Sequence, residues 1–186
     1  MPFTIAQLTE FEEEIKKSRF QAFAVPVASE QDVKDFLTQM KDPSTTHQCW
    51  AWKIGHDVRF NDDGEPSGTA GRPILATIEG NDLTNVLVLV NRWFGGVKLG
   101  TGGLVRAYGG CAGKCLQLAE KIELIHKKMA HFQCDFSEWA ILQYELQLHQ
   151  VEFQETYTAI GVDVEVSLLE NQIEHFIKKI QDVTRG

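Results

Sequence analysis

The stretch Val86-Leu87-Val88-Leu89-Val90-Asn91-Arg92-Trp93-Phe94-Gly95-Gly96-Val97-Lys98-Leu99-Gly100-Thr101-Gly102-Gly103-Leu104-Val105-Arg106 carries three structural signals in succession. The unbroken apolar run Val86–Val90 reads as a buried strand. Glycine then takes over, and eight of the chain's 15 glycines fall between Gly95 and Gly113. Beyond the loop, Leu104, Tyr108, Cys111, Cys115, Leu118 and Ala119 recur along one face of a long helix. A strand, a glycine loop and a helix in this order organise a mixed α+β domain.

Upstream, strand and helix signals alternate. Phe20, Ala22, Ala24 and Val27 mark a strand ending near Pro26. Ser29 with Asp32 three residues on resembles a helix start, and Val33, Phe36, Leu37 and Met40 follow at helical spacing until Pro43 and Ser44. Cys49–Ile54 reads as a strand, residues 55–68 as a polar loop, and Pro73 suits the first turn of a helix through Ile74, Leu75 and Ile78. Downstream the pattern changes near Ile125. Lys127–Phe136 reads as a strand, then a helix capped at Ser137, a hairpin of Phe153–Thr158 and Val162–Leu168 about Gly161, and an amphipathic helix Asn171–Asp182. This β-α-β-β-α order is the ferredoxin-like plan without its last strand. The expected class is α+β, with domains at 1–124 and 125–186 joined near Lys121–His126.

With 186 residues the chain can bury a core without disulfides. The 43% hydrophobic and 24% charged content excludes a disordered or fibrous chain. No apolar run approaches a membrane span, and Met1-Pro2-Phe3-Thr4 does not open a signal peptide, so a cytoplasmic protein with reduced cysteines is expected. The net charge of -8, from 18 Lys+Arg against 26 Asp+Glu, argues against a protein that coats DNA.

Two segments could carry chemistry. Asn61-Asp62-Asp63-Gly64-Glu65-Pro66-Ser67-Gly68-Thr69-Ala70-Gly71-Arg72-Pro73 and Asn91–Arg106 are both small-residue loops that lead into helix N-termini, where backbone N–H groups favour anions. From Arg72 to Lys114 five cations (Arg72, Arg92, Lys98, Arg106, Lys114) face two acids (Glu79, Asp82), a local +3. One reading is a phosphate or nucleic-acid site. It would be built from Arg72, Arg92, Lys98 and Arg106, with Trp93 and Phe94 stacking on bases. Gly95, Gly96, Gly100, Thr101, Gly102 and Gly103 would admit the phosphate, and residues 62–69 with Gly71 would brace the loop. The other is that the glycines only make tight turns and close packing, some of Gly95, Gly96, Gly102 and Gly103 with positive φ.

Nucleotide motifs fail. Gly113-Lys114 is followed by Cys115 where a P-loop needs Ser or Thr, and Val105 stands where a Rossmann fingerprint needs its third glycine. Asp62, Asp63 and Glu65 could chelate a metal or act as acid and base, but their spacing is not that of a calcium loop, and they could equally pair with Arg72 or Arg92. His47 and Cys49 share a strand face as a thiol–imidazole pair would, without an evident third group. Cys111 and Cys115 lack the second pair that zinc would need.

Glu14-Ile15-Lys16-Lys17-Ser18-Arg19-Phe20, Thr46-His47-Gln48-Cys49, Asp62–Pro73 and Leu83–Gly110 together resemble the IMPACT/YigZ family. The resemblance covers about residues 10–120 and implies a ribosomal-protein-like β-α-β N-terminal fold, similar to domain IV of elongation factor G. The second domain fits the small ferredoxin-like domain of the bacterial members. Eukaryotic members regulate the kinase response to amino-acid starvation through an extra domain that is not expected in this chain, so that role is not expected to carry over directly. The expectation is a non-enzymatic cytoplasmic protein that binds RNA or a ribosome-like ribonucleoprotein surface and modulates translation, without cofactor or metal. Two alternatives are an enzyme using the acidic and glycine loops, and a regulator that binds another protein there.

Overall fold

Elements follow one another as β1 (Phe3–Ile5), β2 (Thr9–Ile15), β3 (Ser18–Pro26), α1 (Glu30–Gln39), β4 (His47–Ile54), β5 (Asp57–Asn61), α2 (Gly71–Gly80) and β6 (Val86–Trp93). Then come α3 (Thr101–Leu118), β7 (Lys121–Glu123), β8 (Lys127–Cys134), α4 (Phe136–Leu148), β9 (Glu152–Tyr157), β10 (Val162–Leu169) and α5 (Glu170–Thr184). This computed structural model describes residues 3–124 and 127–184, and the chain divides into two units at Leu124 and Ile125. Within the join expected at Lys121–His126, Ile125 and His126 lie outside the described residues, as do Met1 and Pro2 of the N-terminal reading.

The apolar run becomes β6, the central strand of an antiparallel sheet ordered β2-β3-β6-β4-β5. Its successive side chains face opposite sides of the sheet, and both sides are covered. Val86, Val88 and Val90 pack with Ile74, Ile78, Leu104, Tyr108, Cys111 and Cys115 of α2 and α3. Leu87 packs on the other side with Val27, Val33 and Trp52, and Phe36 and Leu37 of α1 lie against this cluster. Helix α1 carries the expected cap. Asp32 N–H donates to Ser29 Oγ at 3.2 Å, and Ser29 N–H donates to Asp32 Oδ2 at 2.9 Å.

Several elements depart from the sequence reading. Strand β5 occupies part of the expected polar loop; it is an edge strand with every residue exposed, so no burial pattern announces it. Strand β2 reads Thr-Glu-Phe-Glu-Glu-Glu-Ile, and its five glutamate- or threonine-bearing exposed and half-buried positions hide the apolar alternation of Phe11 and Ile15. The three-residue strands β1 and β7 pair with each other, too short to carry a periodic signal. Helix α4 is capped by Asp135, not Ser137, because Glu138 reaches back to accept Asp135 N–H at 2.8 Å.

The C-terminal unit is a three-stranded antiparallel sheet ordered β8-β10-β9. Val162, Val164, Val166 and Leu168 of the central strand form one core with Trp139, Leu142 and Leu146 of α4 and Phe176 of α5. The hairpin turns at Gly161, where a Cβ would lie 2.4 Å from the Cys134 carbonyl oxygen.

Candidate nucleic-acid interface around the glycine-rich loop

The acidic loop turns its charge inward. Asp62 Oδ1 accepts Ala70 N–H at 3.0 Å and Gly71 N–H at 2.8 Å, while Oδ2 accepts Gly68 N–H at 2.8 Å. The start of α2 is thus occupied by the chain's own carboxylate, and the expectation that it would receive an external phosphate is corrected. Asp63 Oδ2 accepts Gln48 N–H at 2.7 Å, and the Asp63 carbonyl lies 2.7 Å from His47 Nδ1. Because a carbonyl only accepts, Nδ1–H is the donor in that contact, and Nε2 is turned toward Glu65, 3.8 Å from Oε1.

Glu65 is the hub. Its Oε1 accepts Arg92 Nη1–H at 2.5 Å and Tyr108 O–H at 2.8 Å, and both charged side chains are buried. Arg92 Nη2–H also donates to Ser18 Oγ at 3.4 Å, and its guanidinium lies 5.6 Å from the Phe20 ring centre. Arg92 is only 5% exposed. It is therefore not free to contact a nucleic-acid backbone, and its expected role as a phosphate contact is corrected: it braces the loop from inside. The reason is parity, since Arg92 follows Val88 and Val90 on the β6 face that meets α3.

Cys49 belongs to the same packed region. Its thiol donates to the Asp62 carbonyl at 3.0 Å, and burial pushes its pKa up to about 12. A thiolate at neutral pH is thereby disfavoured, which removes the main requirement of a Cys–His nucleophile. Burial likewise pushes Cys111 up to about 12 and Cys115 up to about 11. All four cysteines are free and buried.

The glycine loop behaves differently. Gly95 meets the β2–β3 turn so closely that a Cβ there would sit 1.7 Å from the Lys17 carbonyl oxygen. Gly96 and Gly100 have φ of +85° and +74°, whereas Gly102 and Gly103 are helical. Helix α3 begins after Gly100 without a side-chain cap, leaving its first N–H groups to an outside acceptor. Thr101, Lys98 and Arg106 are exposed around this start. A cavity of about 180 Å³ opens there, lined by Ile15, Lys16, Leu99, Gly103, Arg106 and Ala107.

Lys16 lines this cavity and Lys17 abuts Gly95, and motif reading left both out of the candidate site. Both have positive φ, at 47° and 67°, in the tight β2–β3 turn. The consecutive lysines between two strands were the available signal, visible only once β2 is recognised. Phe94 is 46% exposed, with its N–H held by Thr46 Oγ1 at 2.9 Å. Trp93 is less available, because Arg19 stacks on its ring at 3.6 Å and Ser44 Oγ accepts its indole N–H at 3.1 Å. Arg72 is exposed at the start of α2, its guanidinium 5.8 Å from the Phe60 ring centre.

An antiparallel sheet covered by helices on both faces, with a braced acidic loop and an open cationic glycine loop, defines the N-terminal class. The Impact N-terminal domain matches residues 16–116, and a domain of unknown function (DUF1949) matches residues 132–186. The chain belongs to the IMPACT family. It is 43% identical over 173 residues to an IMPACT family member of Thermus thermophilus, covering 92% of this chain and 96% of that one. Protein IMPACT of Oryctolagus cuniculus is 37% identical over 93 residues, 46% of this chain and 29% of its own. The crystal structure of a hypothetical protein superposes with a TM-score of 0.69 at 30% identity, covering 99% of this chain and 93% of that one. Among the described residues no helix is long and apolar enough to cross a membrane.

Proposed function

We propose that the chain is a non-enzymatic translation regulator that binds RNA, or an RNA-bearing surface such as a ribosome, through the open face of its glycine loop. The observation that carries this reading is the cavity where Lys16 and Arg106 converge beside the uncapped start of α3. Backbone N–H groups and two cations favour a phosphate there. Exposed Phe94 adds an apolar ring on which a base can stack, and Lys17 and Lys98 extend the charge. In the same reading the N-terminal unit follows the ribosomal-protein-like plan. The β8-β10-β9 order supports a ferredoxin-like plan for the C-terminal unit.

The test is a salt titration of single-stranded RNA binding by fluorescence anisotropy, beside ribosome co-sedimentation. Three or four phosphate contacts give a log–log slope of roughly -2 to -3, at about 0.7 per contact. The overall charge of -8 opposes naked RNA, so tighter binding to the shaped ribonucleoprotein is expected. Lys98→Ala and Arg106→Ala should each lower the slope by a little under one unit. Absence of binding in both assays, or wild-type behaviour of both variants, overturns the reading.

A further inference from the structure

The C-terminal unit carries a second cluster of chemistry-bearing side chains. Glu145 and His149 stand one turn apart at the end of α4, and His175 comes from α5. Their ligand atoms all lie within 4.8 Å of one another. His149 Nε2 is 3.9 Å from Glu145 Oε2, and the two imidazole centres are 4.8 Å apart. Glu145 Oε1 is already taken by Lys179 Nζ at 2.8 Å, which leaves Oε2 facing the histidines. Phe176 stands edge-on to both rings, at 5.6 and 5.3 Å, and forms an apolar wall beside them.

We propose that Glu145, His149 and His175 form a binding site for a divalent transition-metal ion of the zinc class, with a fourth position open to water or to a ligand atom from another molecule. Two imidazoles and one carboxylate are the donor set of an open zinc site, whereas magnesium and calcium select oxygen ligands. The lysine bond to Oε1 orients the Glu145 carboxylate as an outer-shell partner does. Tetrahedral zinc with bonds of about 2.0–2.2 Å sets its ligand atoms roughly 3.3 Å apart. The cluster must therefore contract around the ion. Both histidines are exposed, and rotation of their side chains supplies that movement. The ion would clamp the end of α4 to α5. Glu145 and His149 are readable as an i, i+4 pair, but His175 joins them only through helix packing.

The test is calorimetric titration of the untagged full chain with Zn²⁺ alone, together with the absorption spectrum of the Co²⁺ form. One ion per chain is expected, bound at least tenfold more weakly after His149→Gln or His175→Gln. His131→Gln, on β8 and outside the cluster, should bind as wild type. Because both ligand histidines are exposed, metal-free thermal melts of the variants should match wild type, separating lost ligands from lost fold. The Co²⁺ spectrum should show d–d bands without thiolate charge transfer. Undetectable Zn²⁺ binding, wild-type binding by both ligand variants, or a thiolate band overturns the site.

Discussion

At the start of α2 the Asp62 carboxylate accepts three backbone N–H groups; at the start of α3 Gly100 offers no side chain, and none caps the helix. The two loops share a composition of glycines, small polar residues and a nearby arginine, and both lead into helices. One nevertheless carries its own anion, together with Glu65 and the internal cation Arg92. The other keeps its cations, Lys98 and Arg106, in solvent. A helix N-terminus is thus an anion site only when the chain has not already filled it, and the acidic residues preceding the helix decide which case holds.

The sharpest way to break this contrast is to remove one member of the internal pair. Arg92→Met leaves Glu65 buried without its counter-ion and should cost about 3–5 kcal/mol, read from urea midpoints. Lys98→Met, in the open loop, should stay within about 0.5 kcal/mol of wild type. Replacing both partners, as Glu65→Leu with Arg92→Met, should recover part of the loss because no orphan charge remains. Equal destabilisation by Arg92→Met and Lys98→Met would abolish the distinction between brace and surface cation.

A smaller effect separates the two helix starts. Asp62→Ala removes the acceptor of three N–H groups and should cost about 1–2 kcal/mol. Hydrogen exchange at Gly68, Ala70 and Gly71 should accelerate, while amides at the start of α3 keep their wild-type rates. Unchanged protection at those three amides would show that other groups hold the loop.

The strand–loop–helix core was legible because its signals are strong and local: an apolar run, a glycine cluster and a 3.6-residue period. The cap of α1 was legible for the same reason, through Ser29 and Asp32. Arg92 was misassigned although the parity of β6 contained the answer. A residue two beyond Val90 points where Val90 points, into the space under α3, and a cation there requires a buried partner. A pairing of Asp62, Asp63 or Glu65 with Arg72 or Arg92 was open from the sequence, but that Glu65, 27 positions away, is the acid that meets Arg92 is set by the fold and not by spacing. Strand β5 was hidden by exposure, and without β2 the Lys16–Lys17 turn could not be placed beside Gly95.

The finest test gives the open loop the charge that the closed loop already has. Thr101→Asp places a carboxylate on the first residue of α3, beside N–H groups that no side chain caps. Its interaction with the helix dipole should stabilise the chain by about 0.3–1 kcal/mol at low salt, fading as salt screens it. The same carboxylate should weaken RNA binding, because it competes for those N–H groups and repels the incoming phosphate. Stability and affinity are therefore expected to move in opposite directions from one substitution. Urea midpoints and anisotropy titrations in the same low-salt buffer measure both. A variant that gains stability yet binds RNA as wild type would place the RNA site away from the start of α3. One that gains no stability would show those N–H groups are already satisfied, and the contrast between the two loops would fail.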